Sequence, residues 1–99
     1  MIKVSACLTV RNEEKHIHKC IESIKDVVDE IIVVDGYSID KTVEICKEYT
    51  DNIYFQKPQG FVEPDRIFAL EKANGNLILV IDAAETLSKE LQGNLRHLT

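Results

Sequence analysis

A chain of 99 residues, 44% hydrophobic and 29% charged, has the composition of a single globular domain and not of a disordered segment. Its formal net charge of −5 argues against a nucleic-acid backbone as partner, because phosphate binding requires a basic face. No run reaches the ~18 apolar residues of a membrane span. Cys7, Cys20 and Cys46 lie in apolar patterns without CxxC spacing and read as buried free thiols in a reducing, cytoplasmic setting.

The chain alternates strand-like and helix-like segments. KVSACLTV (3–10) is a short apolar run of small and β-branched residues, expected as a buried strand and not as a cleaved leader. The next segment predicts a helix with Asn12 as its cap, Glu13 and Glu14 in its first turn, and Ile17, Cys20, Ile21 and Ile24 on one face. EIIVVD (30–35) predicts a second buried strand ending on an acid. A helix over 38–49 follows, with Ser38 as N-cap and Val43, Cys46 and Tyr49 on one side. NIYFQ (52–56) predicts a shorter third strand nearer an edge. Pro58 and Gly60 mark a loop; Pro64 then opens a helix that Gly75 stops. NLILVID (76–82) predicts a fourth buried strand, ending on Asp82. The last segment has Leu91, Leu95 and Leu98 at helical spacing, weakened by Gly93.

This order predicts an α/β fold: a three-layer parallel sheet in order 3-2-1-4, with flanking helices and right-handed crossovers. Ligands of such sheets sit at the carboxyl ends of the strands. There the sequence places TVRNEE, DGYSID and DAAE, with neither GxGxxG nor a P-loop. An acidic edge suits base or ribose recognition, or a divalent metal held against a diphosphate, and Asp35 and Asp82 are the candidate carboxylates. For each alone, a polar strand end or a helix cap is the simpler reading. Arg66 stands in the first turn of its helix, where a cation opposes the dipole; a diphosphate contact or a salt bridge with Glu63 or Asp65 explains it. His16, His18 and His97 read as exposed helix residues.

The segment from Cys7 to Tyr49 resembles the nucleotide-binding half of the family 2 glycosyltransferases. Asn12-Glu13 match that family's asparagine-glutamate pair, and Asp35, Ser38, Asp40 and Thr42 match its D-x-x-S-x-D-x-T. DRIFALEKANG matches part of its A-R-N-x-A-L-x-x-A-x-G helix through Arg66, Ala69, Leu70, Ala73 and Gly75, and DAAE stands at its D-x-D. Tyr37 occupies a usual glycine place, and Ala84 replaces the second acid of D-x-D.

The resemblance implies a GT-A, Rossmann-like half domain over residues 1–99, shortened relative to a full transferase, that binds a nucleoside diphosphate sugar. It implies Asp35 on the base, Thr9, Arg11 and Glu13 lining the nucleoside pocket, Arg66 near base or phosphate, and Asp82 on ribose or metal. A divalent Mn²⁺ or Mg²⁺ would be held by Asp82 and weakened by Ala84, leaving transfer activity in doubt. The alternative is a non-catalytic interaction module that keeps the fold. Self-association is also expected, because the last segment has little to pack on. A phosphoacceptor domain would place an acid at the end of the third strand, where NIYFQ has none.

Overall fold

The computed structural model describes residues 3–57, 70–83, 86 and 88–98. Strands β1 (Val4–Val10), β2 (Glu30–Asp35), β3 (Ile53–Phe55) and β4 (Leu77–Val80) form one parallel sheet in the order β3-β2-β1-β4. The described helices are α1 (Ile17–Ile24), α2 (Thr42–Lys47) and α3 (Lys89–Leu98), and residues 70–72 are also helical. The expected topology is therefore observed.

Strand alternation divides the core in two. On one face Ala6, Leu8, Val10, Ile31 and Val33 meet Ile17, Cys20, Ile21 and Ile24 of α1 and Cys46 of α2. Each fully buried isoleucine contributes roughly 1.5–3 kcal/mol. On the other face Cys7, Ile32 and Val34 form a smaller cluster with Tyr54 and Ala73.

Several local expectations are corrected. Asn12 and Ser38 cap no helix: α1 and α2 begin after His16 and Lys41, and neither has a side-chain cap. Both residues instead bond across the two turns at the carboxyl edge. β4 ends at Val80 and, among the described residues, is an edge strand paired with β1 alone, with Ile78 38% and Val80 46% exposed. α3 is not left without support, since Leu95 packs against the larger core cluster while Leu91 stays exposed.

Gly75 does more than end a helix. A Cβ there would lie 2.8 Å from Ser5 N and 2.9 Å from Lys3 O, so the close crossing of this segment over β1 requires glycine. The helix expected from Pro64 is described only from residue 70; Arg66 and the loop marked by Pro58 and Gly60 lie outside the described residues.

Candidate functional site

The turns after β1 and β2 are tied together at the carboxyl edge. Gly36 N–H donates to Val10 O at 2.8 Å, joining the two strand ends. Asn12 N–H donates to Ser38 Oγ at 2.8 Å, and Ile39 N–H returns a 2.8 Å bond to Asn12 Oδ1. Glu13 N–H donates to Thr42 Oγ1 at 2.8 Å, and Glu14 N–H to Asp40 Oδ2 at 3.2 Å. Asp40 Oδ1 in turn accepts from Thr42 N–H at 3.0 Å and from Thr42 Oγ1 at 2.5 Å. The motif residues Asn12, Ser38, Asp40 and Thr42 thus form one cross-linked pair of turns. Burial opposes the charge on Asp40, but the hydrogen bonds from Thr42 and from Glu14 N–H outweigh it and hold its carboxyl below the usual range.

Asp35 is fully buried beneath this network. Its Oδ1 accepts from Ser38 Oγ at 2.6 Å and its Oδ2 from Ser38 N–H at 2.8 Å. It faces the helix side of the sheet: burial, and then the Asp35 charge, push the Cys46 thiol up to about 12. In this structure Asp35 therefore anchors the second turn from below.

Asp82 lies at the same edge and is exposed. Val80 is level with Cys7, and Ile81 N–H donates to Cys7 O at 3.2 Å, which continues the register. Two residues on, Asp82 comes level with Thr9, while Asp35 is level with Val10. β1 separates them, so the two strand ends stand about 10 Å apart, two strand spacings. Asp35 shares the face of Ile31 and Val33, whereas Asp82 lies between Ile81 and Ala83, which take that face. Thr9 is half-buried and Arg11 exposed at the same edge. Glu13 turns its carboxylate to His16 Nδ1, 3.3 Å away just ahead of α1, and its carbonyl accepts from Ile17 N–H at the start of that helix. Ala84 and Glu85, like Arg66, lie outside the described residues.

Two residues at this edge are not found by motif reasoning. Tyr37 has φ +59° and is 55% exposed; its ring lies 5.7 Å from that of Phe55, which is 48% exposed at the end of β3. The available signal was a tyrosine in a glycine place. Ile39, in the same turn, is 92% exposed. A groove of about 440 Å³ lined by Lys25, Asp29, Glu30, Tyr49 and Asp51 lies at the opposite, amino edge. Its position, not its size, separates it from the strand ends where ligands of parallel sheets sit.

A parallel 3-2-1-4 sheet with polar turns gathered at its carboxyl edge is the GT-A type of fold. The model of glycosyl transferase family 2 matches residues 5–95, and the chain belongs to that family. An uncharacterized glycosyltransferase of Rickettsia felis is 39% identical over 98 residues, 99% of this chain and 34% of that protein. The glycosyltransferase SunS of Bacillus phage SPbeta is 38% identical over 94 residues, 93% of this chain and 22% of that protein. Among solved structures, TarS 1-349 of S. aureus in complex with UDP-GlcNAc matches with a TM-score of 0.76 at 26% identity, covering 94% of this chain and 30% of that one. Glucosyl-3-phosphoglycerate synthase of Mycobacterium tuberculosis, in complex with Mn²⁺, UDP-glucose and phosphoglyceric acid, matches with a TM-score of 0.64 at 25% identity, covering 83% and 33%. The chain thus spans about a third or less of the length of the proteins it matches.

Proposed function

We propose that residues 1–99 form a single nucleotide-sugar-binding domain, which holds a nucleoside diphosphate sugar across the carboxyl edge as the donor side of glycosyl transfer. The observation that carries this reading is the tied pair of turns over buried Asp35, with Asp82 two strands away at the same edge. Family membership and the UDP-sugar complexes of the structural neighbours support it.

Thr9 and Arg11 offer a hydroxyl and a cation to the nucleoside and its phosphates. Asp35 acts on the base through the turn that it fixes, and Glu13 through its N–H bond to Thr42. Arg66 is kept for base or phosphate on the motif alone. In the transfer, an acceptor hydroxyl attacks the anomeric carbon, the bond to the diphosphate breaks, and the hydroxyl proton passes to a base. No residue of this chain is assigned that last role.

Among the described residues no three His, Cys, Asp or Glu side chains gather as a metal cage. Asp82 alone fits a hard divalent ion, and only where diphosphate oxygens and water complete the shell. Mn²⁺ or Mg²⁺ bound there would supply charge to the leaving diphosphate, and Ala84 contributes no ligand. No helix among the described residues is long and apolar enough to cross a membrane. The three free cysteines are buried, which supports a reducing, cytoplasmic location.

A second reading, an interaction module without transfer activity, is favoured by Ala84 in the place of an acid. Calorimetric titration with nucleoside diphosphates, with and without Mn²⁺, separates the two. The donor reading expects weak binding with little gain from Mn²⁺, and a larger metal-dependent part in Ala84→Asp. Absence of binding in both proteins at millimolar ligand hands the site to the interaction reading.

A further inference from the structure

We infer that Tyr37 and Phe55 form the stacking wall for the donor's nucleobase; this rests on the donor reading above and names the part of the edge that reads the base. The two rings are tilted 38° to each other with centroids 5.7 Å apart, and each is about half exposed. An aromatic pair that served only the core would be covered. This pair lies outside both core clusters, at the ends of β2 and β3.

The backbone at Tyr37 points the same way. A non-glycine residue at φ +59° is strained, and such strain persists where surrounding bonds fix it. Here they do: Gly36 N–H is held by Val10, Ser38 by Asp35, and Ile39 N–H by Asn12. The turn thus keeps a large ring where a glycine would rest without strain. That arrangement suits a side chain whose exposed face has a use, and every nucleobase presents a π-face to stack on it.

Position selects the base over the sugar or the phosphates. Phe55 is level with Asp35 on β3, while Asp82 follows β4 on the far side of β1. Three strand spacings, about 14 Å, separate the β3 and β4 ends. An extended nucleoside diphosphate with its phosphates toward Asp82 brings its base toward the aromatic pair. Arg11, exposed at the end of β1, lies between.

The test uses the 99-residue chain and the diphosphates of uridine, cytidine, adenosine and guanosine. Tyr37→Gly, which relieves the backbone, and Phe55→Leu are each expected to weaken the best-bound nucleotide about 5- to 100-fold, the usual effect of losing a stacking partner. Tyr37→Phe should bind as the parent does. In the parent, the ring-proton resonances of Tyr37 and Phe55 should shift on titration. Variants that melt as the parent does and bind with its affinity, or ring protons that stay unmoved while nucleotide binds, would overturn the stacking wall and leave the donor reading standing. A parent chain that binds none of the four nucleotides would overturn both.

Discussion

At the amino edge of the sheet, Glu30 accepts from Ser5 Oγ at 2.5 Å and from Asn74 N–H at 2.7 Å, and Ser5 Oγ accepts from Gly75 N–H at 2.7 Å. At the carboxyl edge, Asp35, Ser38, Asn12, Asp40 and Thr42 make a comparable network. Within both networks the inward polar groups are paired, while Gln56 Oε1, just past the carboxyl end of β3, is buried without a partner among the described residues. The difference lies outside the bonds. Beyond the carboxyl network stand the exposed side chains of Arg11, Tyr37, Ile39, Phe55 and Asp82, two of its residues have positive φ, and one of these is a tyrosine. The amino network ties Glu30 to a glycine crossing, and among the described residues its groove has the half-buried Tyr49 in place of an exposed pair such as Tyr37 and Phe55. One network closes the sheet, whereas the other closes it and also presents a surface.

The comparison breaks most readily at Asp35. Asp35→Ala leaves Ser38 N–H and the Ser38 hydroxyl proton without their acceptor, although Ser38 Oγ still accepts from Asn12 N–H, and should cost about 2–3 kcal/mol, read from the midpoint of urea unfolding. Asp35→Asn, which keeps the shape and one acceptor, should cost less. If Asp35→Ala is neutral, the buried anchor is not what holds the second turn.

At the amino edge the matching change is Gly75→Ala. Its added methyl meets backbone atoms of Lys3 and Ser5, which cannot yield as a flexible side chain does. The expected cost is about 1–3 kcal/mol. Nucleotide affinity should stay as in the parent, because the crossing lies at the other end of the strands.

Strain at Tyr37 is measured by comparing two variants that both lack the ring. Tyr37→Gly should be more stable than Tyr37→Ala by about 1 kcal/mol in thermal melts, because only glycine takes positive φ freely. Equal stability would mean that the turn relaxes and stores nothing.

The smallest effect is a pH dependence. Burial raises the folded Asp40 carboxyl, but its hydrogen bonds outweigh that and hold it below its unfolded value of about 3.9. Its contribution is therefore present above that value and lost as pH falls through the lower folded one. Melts between pH 6 and pH 3 should show the parent losing more stability than Asp40→Asn at the acid end.

Much of this architecture was legible because apolar runs closed by acids mark parallel strands that end at one edge. EIIVVD has that form, VSACLTV runs instead into the polar RNEE, and the order β3-β2-β1-β4 followed from the crossovers. The roles of Asn12 and Ser38 were not legible: the residue types that cap helices also bond across loops, and only the fold decides which partner is near. Asp35 and Asp82 read alike in sequence, yet a full turn packs over one and the other is exposed. Ile78 and Val80 read as core because strand composition does not reveal that β4 has a single neighbour among the described residues. That apolar strip keeps self-association as a proposal, with concentration-dependent sedimentation as its check. Phe55 carried no motif signal, since its meaning comes from Tyr37, eighteen positions earlier.

In the proposed donor domain the carboxyl edge, and not the amino groove, receives the nucleotide. Amide chemical-shift mapping of the chain titrated with nucleoside diphosphates tests it most directly. Shifts are expected in residues 9–13, 36–42, 55 and 82, with 29–31, 50–52 and 74–76 unmoved. Largest shifts at the amino groove, or none at millimolar nucleotide, would contradict it.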